Sequence, residues 1–235
     1  MKRVPKPALP ADQLVLPVAD SNAIVQIKVW LIGKSPMVWR RVLVPASCTL
    51  RELHGVIQVA MGWEGLHLFQ FLLRAARYGS LELSASSAEV TMAALRLRKG
   101  ARFVYEYDLN IPWRHGIRIE DHVAPAAKAT YPACSGGQGA CPPEDCHDPS
   151  GFMAHRDGAT SWDELEDLAT LTDILRPFAL RDEDAGLDDE KQWRLEQALD
   201  RTRARERARG VPFAQRTVND RLRQGAHREL MHQHY

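Results

Sequence analysis

The chain has 235 residues, with Lys+Arg 31 against Asp+Glu 30, a hydrophobic fraction of 45% and a charged fraction of 26%. Those proportions are ordinary for a globular chain and exclude wholesale disorder, collagen and a coiled-coil rod. No run of about 18 apolar residues occurs, so no membrane-spanning helix is expected. The start, Met1-Lys2-Arg3-Val4-Pro5, lacks the apolar stretch of a secretory signal, and a cytoplasmic protein is expected.

The net charge of +1 hides three unlike blocks. Residues 1–156 carry 18 basic and 13 acidic side chains, residues 157–200 carry 4 and 14, and residues 201–235 carry 9 and 3. Such blocks can neutralise each other within the fold. Alternatively, the basic C-terminal segment can contact a protein or nucleic-acid partner, the latter through its phosphates.

Residues 1–22, with Pro5, Pro7, Pro10 and Pro17, read as an extended leader. Ala23 to Leu31 is rich in β-branched residues and partly alternates, which predicts a strand. Gly33, Ser35 and Pro36 punctuate a turn. Val38 to Val44 returns as a second strand, with Arg40 and Arg41 near its middle. Thr49-Leu-Arg-Glu52 is a capping box. Leu50, Leu53, Ile57 and Ala60 follow at helical spacing, and Gly62 is placed to end a helix over about 50–61.

His67 to Arg74 predicts a third strand, with Gly79 marking a turn. Residues 86–95 read equally as a short helix or an irregular connection. Arg102 to Asp108 and Trp113 to Val123 predict a hairpin around Asn110-Ile111-Pro112. The order strand, strand, helix and three strands predicts an α+β fold. One helix packs on a mixed β-sheet in a β-grasp-like arrangement.

Residues 130–151 read as a loop rich in Gly, Pro and Cys. A second capping box, Ser161-Trp-Asp-Glu164, starts an acidic helix expected to end before Pro177. Asp188 to Arg209 favours helix, its Arg-rich second half projecting into solvent or meeting a partner. A last helix is expected over about 214–223, with Val218 and Leu222 inward. The expected organisation is a leader (1–22), an α+β core with the Cys-rich loop (23–156) and a helical C-terminal extension (157–235).

Two clusters can carry chemistry. Cys134, Cys141 and Cys146 lie in one loop, with His147 next to the last of them. Three thiolates and an imidazole suit zinc, and glycines let a loop wrap an ion. The gaps depart from the usual paired-knuckle spacing. Plain reduced thiols and a disulfide therefore stand beside the zinc reading. The second cluster is Asp108, Trp113, His115, Glu144 and Asp145. A carboxylate beside an imidazole can bind metal or act as general base, whereas an Asp at a turn more commonly caps the backbone. His54 and His67 flank Gly62-Trp63, and a core or capping role is the simpler reading for both. No phosphate-binding glycine loop, dinucleotide fingerprint, nucleophile elbow or His-Glu-x-x-His motif occurs.

Six segments together resemble one family. They are Pro36-Met-Val-Trp-Arg-Arg-Val-Leu-Val-Pro45, Thr49-Leu-Arg-Glu-Leu-His54, Ile57-Gln-Val-Ala-Met-Gly-Trp63, Tyr105-Glu-Tyr-Asp108, Trp113-Arg-His115 and Ala140-Cys-Pro-Pro-Glu-Asp-Cys146. The family is the root-inducing-plasmid open-reading-frame-three family, also called the insertion-element passenger TnpR-like domain. The resemblance runs from about Ala23 to Arg223. It implies an α+β protein linked to plasmids and transposable elements, without an established biochemical role. No segment offers the nucleophilic serine and doubly wound fold of a serine recombinase, so that activity is not carried over.

This chain departs from the family pattern in places. Leu109, Asn110 and Ile111 stand where members have Phe-Gly-Asp, Phe69 stands where members have a second His, and His147-Asp148 replaces a Gly-Gly. The expected function is a non-enzymatic accessory module of a mobile element, binding protein or nucleic acid. The alternative is a metal-dependent hydrolase using the Asp, His and Cys cluster.

Overall fold

The structure, a computed structural model, describes residues 22–33, 37–80, 85–144, 161–181, 186–210 and 212–231. The expected leader, apart from Asn22, lies outside them, as do Asp145, Cys146 and His147.

The strands are β1 (Ile24–Leu31), β2 (Trp39–Pro45), β3 (Phe69–Leu73), β4 (Ala76–Gly79), β5 (Ser86–Ser87), β6 (Arg102–Tyr107), β7 (Trp113–Val123) and β8 (Ala133–Gln138). The helices are α1 (Leu50–Met61), α2 (Met92–Leu95), α3 (Ser161–Ala179), α4 (Asp189–Arg209), α5 (Gln215–Gln224) and α6 (Ala226–Glu229). This is an α+β fold built on one mixed sheet of order β5-β4-β3-β6-β7-β1-β2-β8. Every pairing is antiparallel except β4 with β5.

Period-two alternation decides which side of the sheet is buried. Val25, Ile27, Val29 and Leu31 of β1, Val42 and Val44 of β2, and Phe103, Tyr105 and Tyr107 of β6 all face inward. Each such side chain contributes roughly 1.5–3 kcal/mol by leaving water.

Helix α1 packs on that face. Its capping box forms as expected: the Glu52 amide donates to Thr49 Oγ1 at 3.0 Å, and the Thr49 amide donates to Glu52 Oε2 at 2.8 Å. Gly62 closes the helix in the left-handed conformation. Burial, however, runs without a break from Leu53 to Met61, well beyond the single apolar stripe. The reason is a third layer: α5 and α6 cover the far side of α1, burying Val218, Leu222 and His227. Gly55 marks the contact, since a Cβ there would stand 2.0 Å from the His227 carbonyl oxygen. Gly55→Ala is therefore expected to lower stability by about 1–3 kcal/mol, read from the urea midpoint, despite alanine's better helix propensity.

Three local expectations are corrected. Gly79 lies in strand β4, because its amide-bearing backbone pairs with Gln70. The Cys-rich stretch is not all loop: residues 133–138 form the edge strand β8 on β2, with an irregularity between Arg41 and Val42. Helix α3 continues through Pro177 to Ala179. Proline there removes one amide from the last turn only, which costs little where the helix is about to end.

Helices α3 and α4 pack chiefly on each other. Arg201 and Arg205 both reach the buried Asp167, Arg201 donating at 2.9 and 2.6 Å. The Arg201 hydrogen bonds, with Arg205 adding to them, hold the Asp167 carboxyl below the ordinary range. Part of the basic C-terminal block is thus spent inside the fold. No described helix is long and apolar enough to cross a membrane.

Candidate functional site

The sheet's inward face and the helix packed on it bring together His54 and His115, two of the residues singled out by sequence. His54, Gln58, Tyr105 and His115 are all buried. Gln58 Nε2 donates to the Tyr105 hydroxyl at 2.8 Å, which leaves the hydroxyl proton for His54 Nδ1 at 2.6 Å. His54 stacks on Phe69 with centroids 3.9 Å apart, and its Nε2 faces the Leu230 backbone without a well-formed hydrogen bond. Burial drives its pKa down to about 3. His115 lies edge-on to Trp63 at 5.3 Å, its Nδ1 on the Trp113 carbonyl at 3.0 Å, and burial drives its pKa down to about 4.

The second sequence cluster is partly assembled. Trp63 touches Trp113, His115 and Tyr107. Glu144 accepts the Tyr107 hydroxyl and the amides of Glu64 at 2.6 Å and Leu66 at 3.0 Å. Trp63 Nε1 donates to the Pro142 carbonyl at 2.8 Å. Glu144 and Trp63 thus latch the segment after β8 to the loop after α1. Asp108 stands apart in a left-handed turn and accepts the Asn110 amide at 3.2 Å, while its own amide donates to Leu68. These contacts order the backbone.

Cys134 and Cys141 are buried near Arg40; burial raises both thiols, that of Cys141 to about 12. Both thiols therefore stay protonated at neutral pH. Among the described residues no three His, Cys, Asp or Glu side chains are grouped to hold a metal ion. Cys146 and His147 complete the expected zinc set only outside those residues.

The outward face of the sheet is different, and the described helices pack on the opposite face or on each other. Four cations stand side by side across four adjacent strands: Arg102 of β6 pairs with Arg118 of β7, Arg118 with Lys28 of β1, and Lys28 with Arg41 of β2. Like charges directly opposite each other destabilise a sheet, so this row is a structural cost that the fold tolerates. Glu120 offsets one charge through Arg41, which donates from Nε at 2.5 Å.

A row of aromatic residues runs alongside. Trp30 pairs with Trp39 on one side and Gly116 on the other. A Cβ at Gly116 would stand 2.2 Å from Trp30 Cζ2, so only glycine lets the indole lie flat across β7. Lys28 Nζ sits 4.7 Å from the Trp39 ring centroid and Arg41 Cζ 5.3 Å. Sequence reading missed this face. The signal was present, since Lys28 and Trp30, Trp39 and Arg41, and Gly116 and Arg118 sit two apart. Only the register lines them up.

A chain of this kind is an α+β protein with a closed aromatic core and an open, basic, tryptophan-bearing sheet face. It belongs to the plasmid pRiA4b ORF-3-like family, whose pattern matches residues 23–185. It is 35% identical over 137 residues to the uncharacterized protein y4hQ of Sinorhizobium fredii (strain NBRC 101917 / NGR234), covering 56% of this chain and 70% of that one. Among solved structures it is similar to a protein of unknown function, MM3350, from Methanosarcina mazei Go1. That likeness has a TM-score of 0.55 and 25% identity, and covers 62% of this chain and 86% of the other.

Proposed function

We propose that the protein is a non-enzymatic accessory module of a mobile element that binds single-stranded nucleic acid on the outward face of its sheet. The observation that carries this reading is the row Arg102, Arg118, Lys28 and Arg41 beside Trp30 and Trp39. Adjacent strands are about 4.8 Å apart, so four cations span roughly 15 Å, enough for two or three successive phosphates. Bases stack on aromatic faces at little sequence cost while cations track the backbone. An eight-stranded sheet face is too broad for a duplex groove, which supports a single strand over a duplex.

The basic C-terminal segment is the weaker candidate, because Arg201 and Arg205 are engaged by Asp167 and Arg223 by Asp220. The zinc-dependent hydrolase reading lacks comparable support, since the fixed charge of Arg40 beside Cys134 and Cys141 opposes a second cation there.

The test is fluorescence anisotropy with labelled oligo(dT) and oligo(rU) of about twenty nucleotides. Neutralising two to three phosphates on a single strand gives a salt slope of about −1.4 to −2.1, so affinity falls roughly 7- to 20-fold between 50 and 200 mM salt. The double variant Lys28→Glu/Arg118→Glu is expected to abolish binding, whereas Arg223→Glu leaves it intact. Absence of binding at 50 mM salt, or binding indifferent to the double variant, would reject this function.

A further inference from the structure

Helix α3 exposes an apolar seam that no described element covers. Leu165, Leu168 and Leu175 recur with Thr172 at alternating spacings of three and four, and Trp162 and Phe178 lie at the two ends. The five large side chains are 42 to 77% exposed. Together they leave on the order of 500–600 Å² of apolar surface in water, from the sizes of leucine and aromatic side chains. Monomers seldom keep a larger contiguous patch than this. An ordinary interface takes about 800 Å² from each partner, little more than half of it apolar. The seam is therefore large enough for one complete interface. It is set about a third of a turn round the helix from Asp167 and Ile174, which are buried on the side that meets α4.

We propose that the protein is a two-fold dimer in which α3 of one copy packs antiparallel on α3 of the other. Three-four spacing is the pattern by which two helices interdigitate along a shallow crossing. The direction follows from charge. The first turns of α3 are acidic, with Asp163, Glu164 and Glu166, and its last turn carries the basic Arg176. Antiparallel pairing sets the acidic end of one helix along the basic end of its mate. Parallel pairing stacks like charges and opposes the helix dipoles. A two-fold contact also satisfies the seam with itself, since each copy offers the same patch. The hairpin's weak attachment to the sheet leaves α3 free to meet a mate without disturbing the core.

Sedimentation equilibrium of the full chain between about 1 and 200 µM tests the arrangement. A dimer is expected across the upper part of that range. Leu168→Glu/Leu175→Glu is expected to give a monomer with unchanged strand content by circular dichroism. Glu164→Arg alone should weaken association about tenfold, and adding Arg176→Glu should restore it, an outcome that misfolding does not imitate. A monomeric wild-type chain at 200 µM overturns the proposal, whether the seam is then covered by residues 1–21 or by a foreign protein. A dimer indifferent to both pairs of substitutions overturns it equally.

Discussion

Unfolding free energy is expected to fall by up to about 2.7 kcal/mol per pH unit as the pH drops from about 6.5 to 4.5. His54 and His115 are the cause. Each is wholly buried, and burial depresses its pKa from the ordinary value of 6.5 to about 3 and about 4 respectively. The sign follows from proton binding. A depressed histidine stays neutral in the folded protein while the unfolded chain takes up a proton below about pH 6.5. The stabilisation is therefore fully present above pH 6.5 and is lost as pH falls towards the folded values. Each proton taken up on unfolding is worth about 1.4 kcal/mol per unit, and two histidines give the stated slope.

Over two pH units the loss approaches 4–5 kcal/mol, comparable with the whole stability of many domains. His227, depressed by burial and by Arg228, adds to the same trend. The carboxylates of Asp167 and Glu120, held low by Arg201 and Arg41 respectively, contribute only at more acid pH. Urea titrations at half-unit steps from pH 7.5 to 4.5 measure the slope. His115→Phe, which keeps a ring against Trp63, should remove about half of it. A midpoint that is flat over this range would show that the two imidazoles are not buried neutral groups.

Arg40→Ala is expected to cost about 3–5 kcal/mol, whereas Arg41→Ala next to it costs within about 1 kcal/mol. Arg40 points into the protein and Arg41 out of it. The Arg40 guanidinium donates to the carbonyls of Ala60 at 2.8 Å, Trp39 at 2.8 Å, Gln138 at 2.9 Å and Gly139 at 3.1 Å. Its plane also lies 4.4 Å from the Phe213 ring centroid. One side chain thus joins the end of α1, strand β2, the end of β8 and the segment leading into α5.

Truncation leaves a cavity and strips several carbonyls of their donor, and each buried orphan costs about 1–3 kcal/mol before relaxation. Lysine is a poor substitute because a single ammonium cannot reproduce the planar fork. Arg40→Lys should recover less than half of the loss in melting temperature. Arg41 loses only a partly solvent-screened pair with Glu120 and a cation–π contact with the Trp39 ring, each small at a solvent-facing site. Equal effects of the two alanine variants would contradict the assigned orientations.

These two arginines show how far the chain could be read in one dimension. Alternation marked β2 as a strand but did not say which arginine faced inward, because flanking valines favour one face only once α1 is known to cover it. The capping box and its helix were legible, since Thr49, Leu50, Glu52 and Gly62 act within a dozen residues. Strand β8 was not, because Cys134 to Gln138 includes two glycines and forms a strand only by pairing with β2. His54 and Glu144 were noticed for their chemistry, and the fold uses both to secure packing and loops.

Local signals determined the α+β class, the capped central helix, the β6–β7 hairpin and the family, because capping, alternation and motif order need only neighbouring residues. The tertiary structure alone decided that α5 and α6 wall in α1, that Arg40 is a hub, and that Arg102, Arg118, Lys28 and Arg41 form one row. Those facts depend on strand register and long-range packing, which bring together residues more than ninety positions apart, such as Arg40 and Gly139. A single-chain pattern carries no term for such distances.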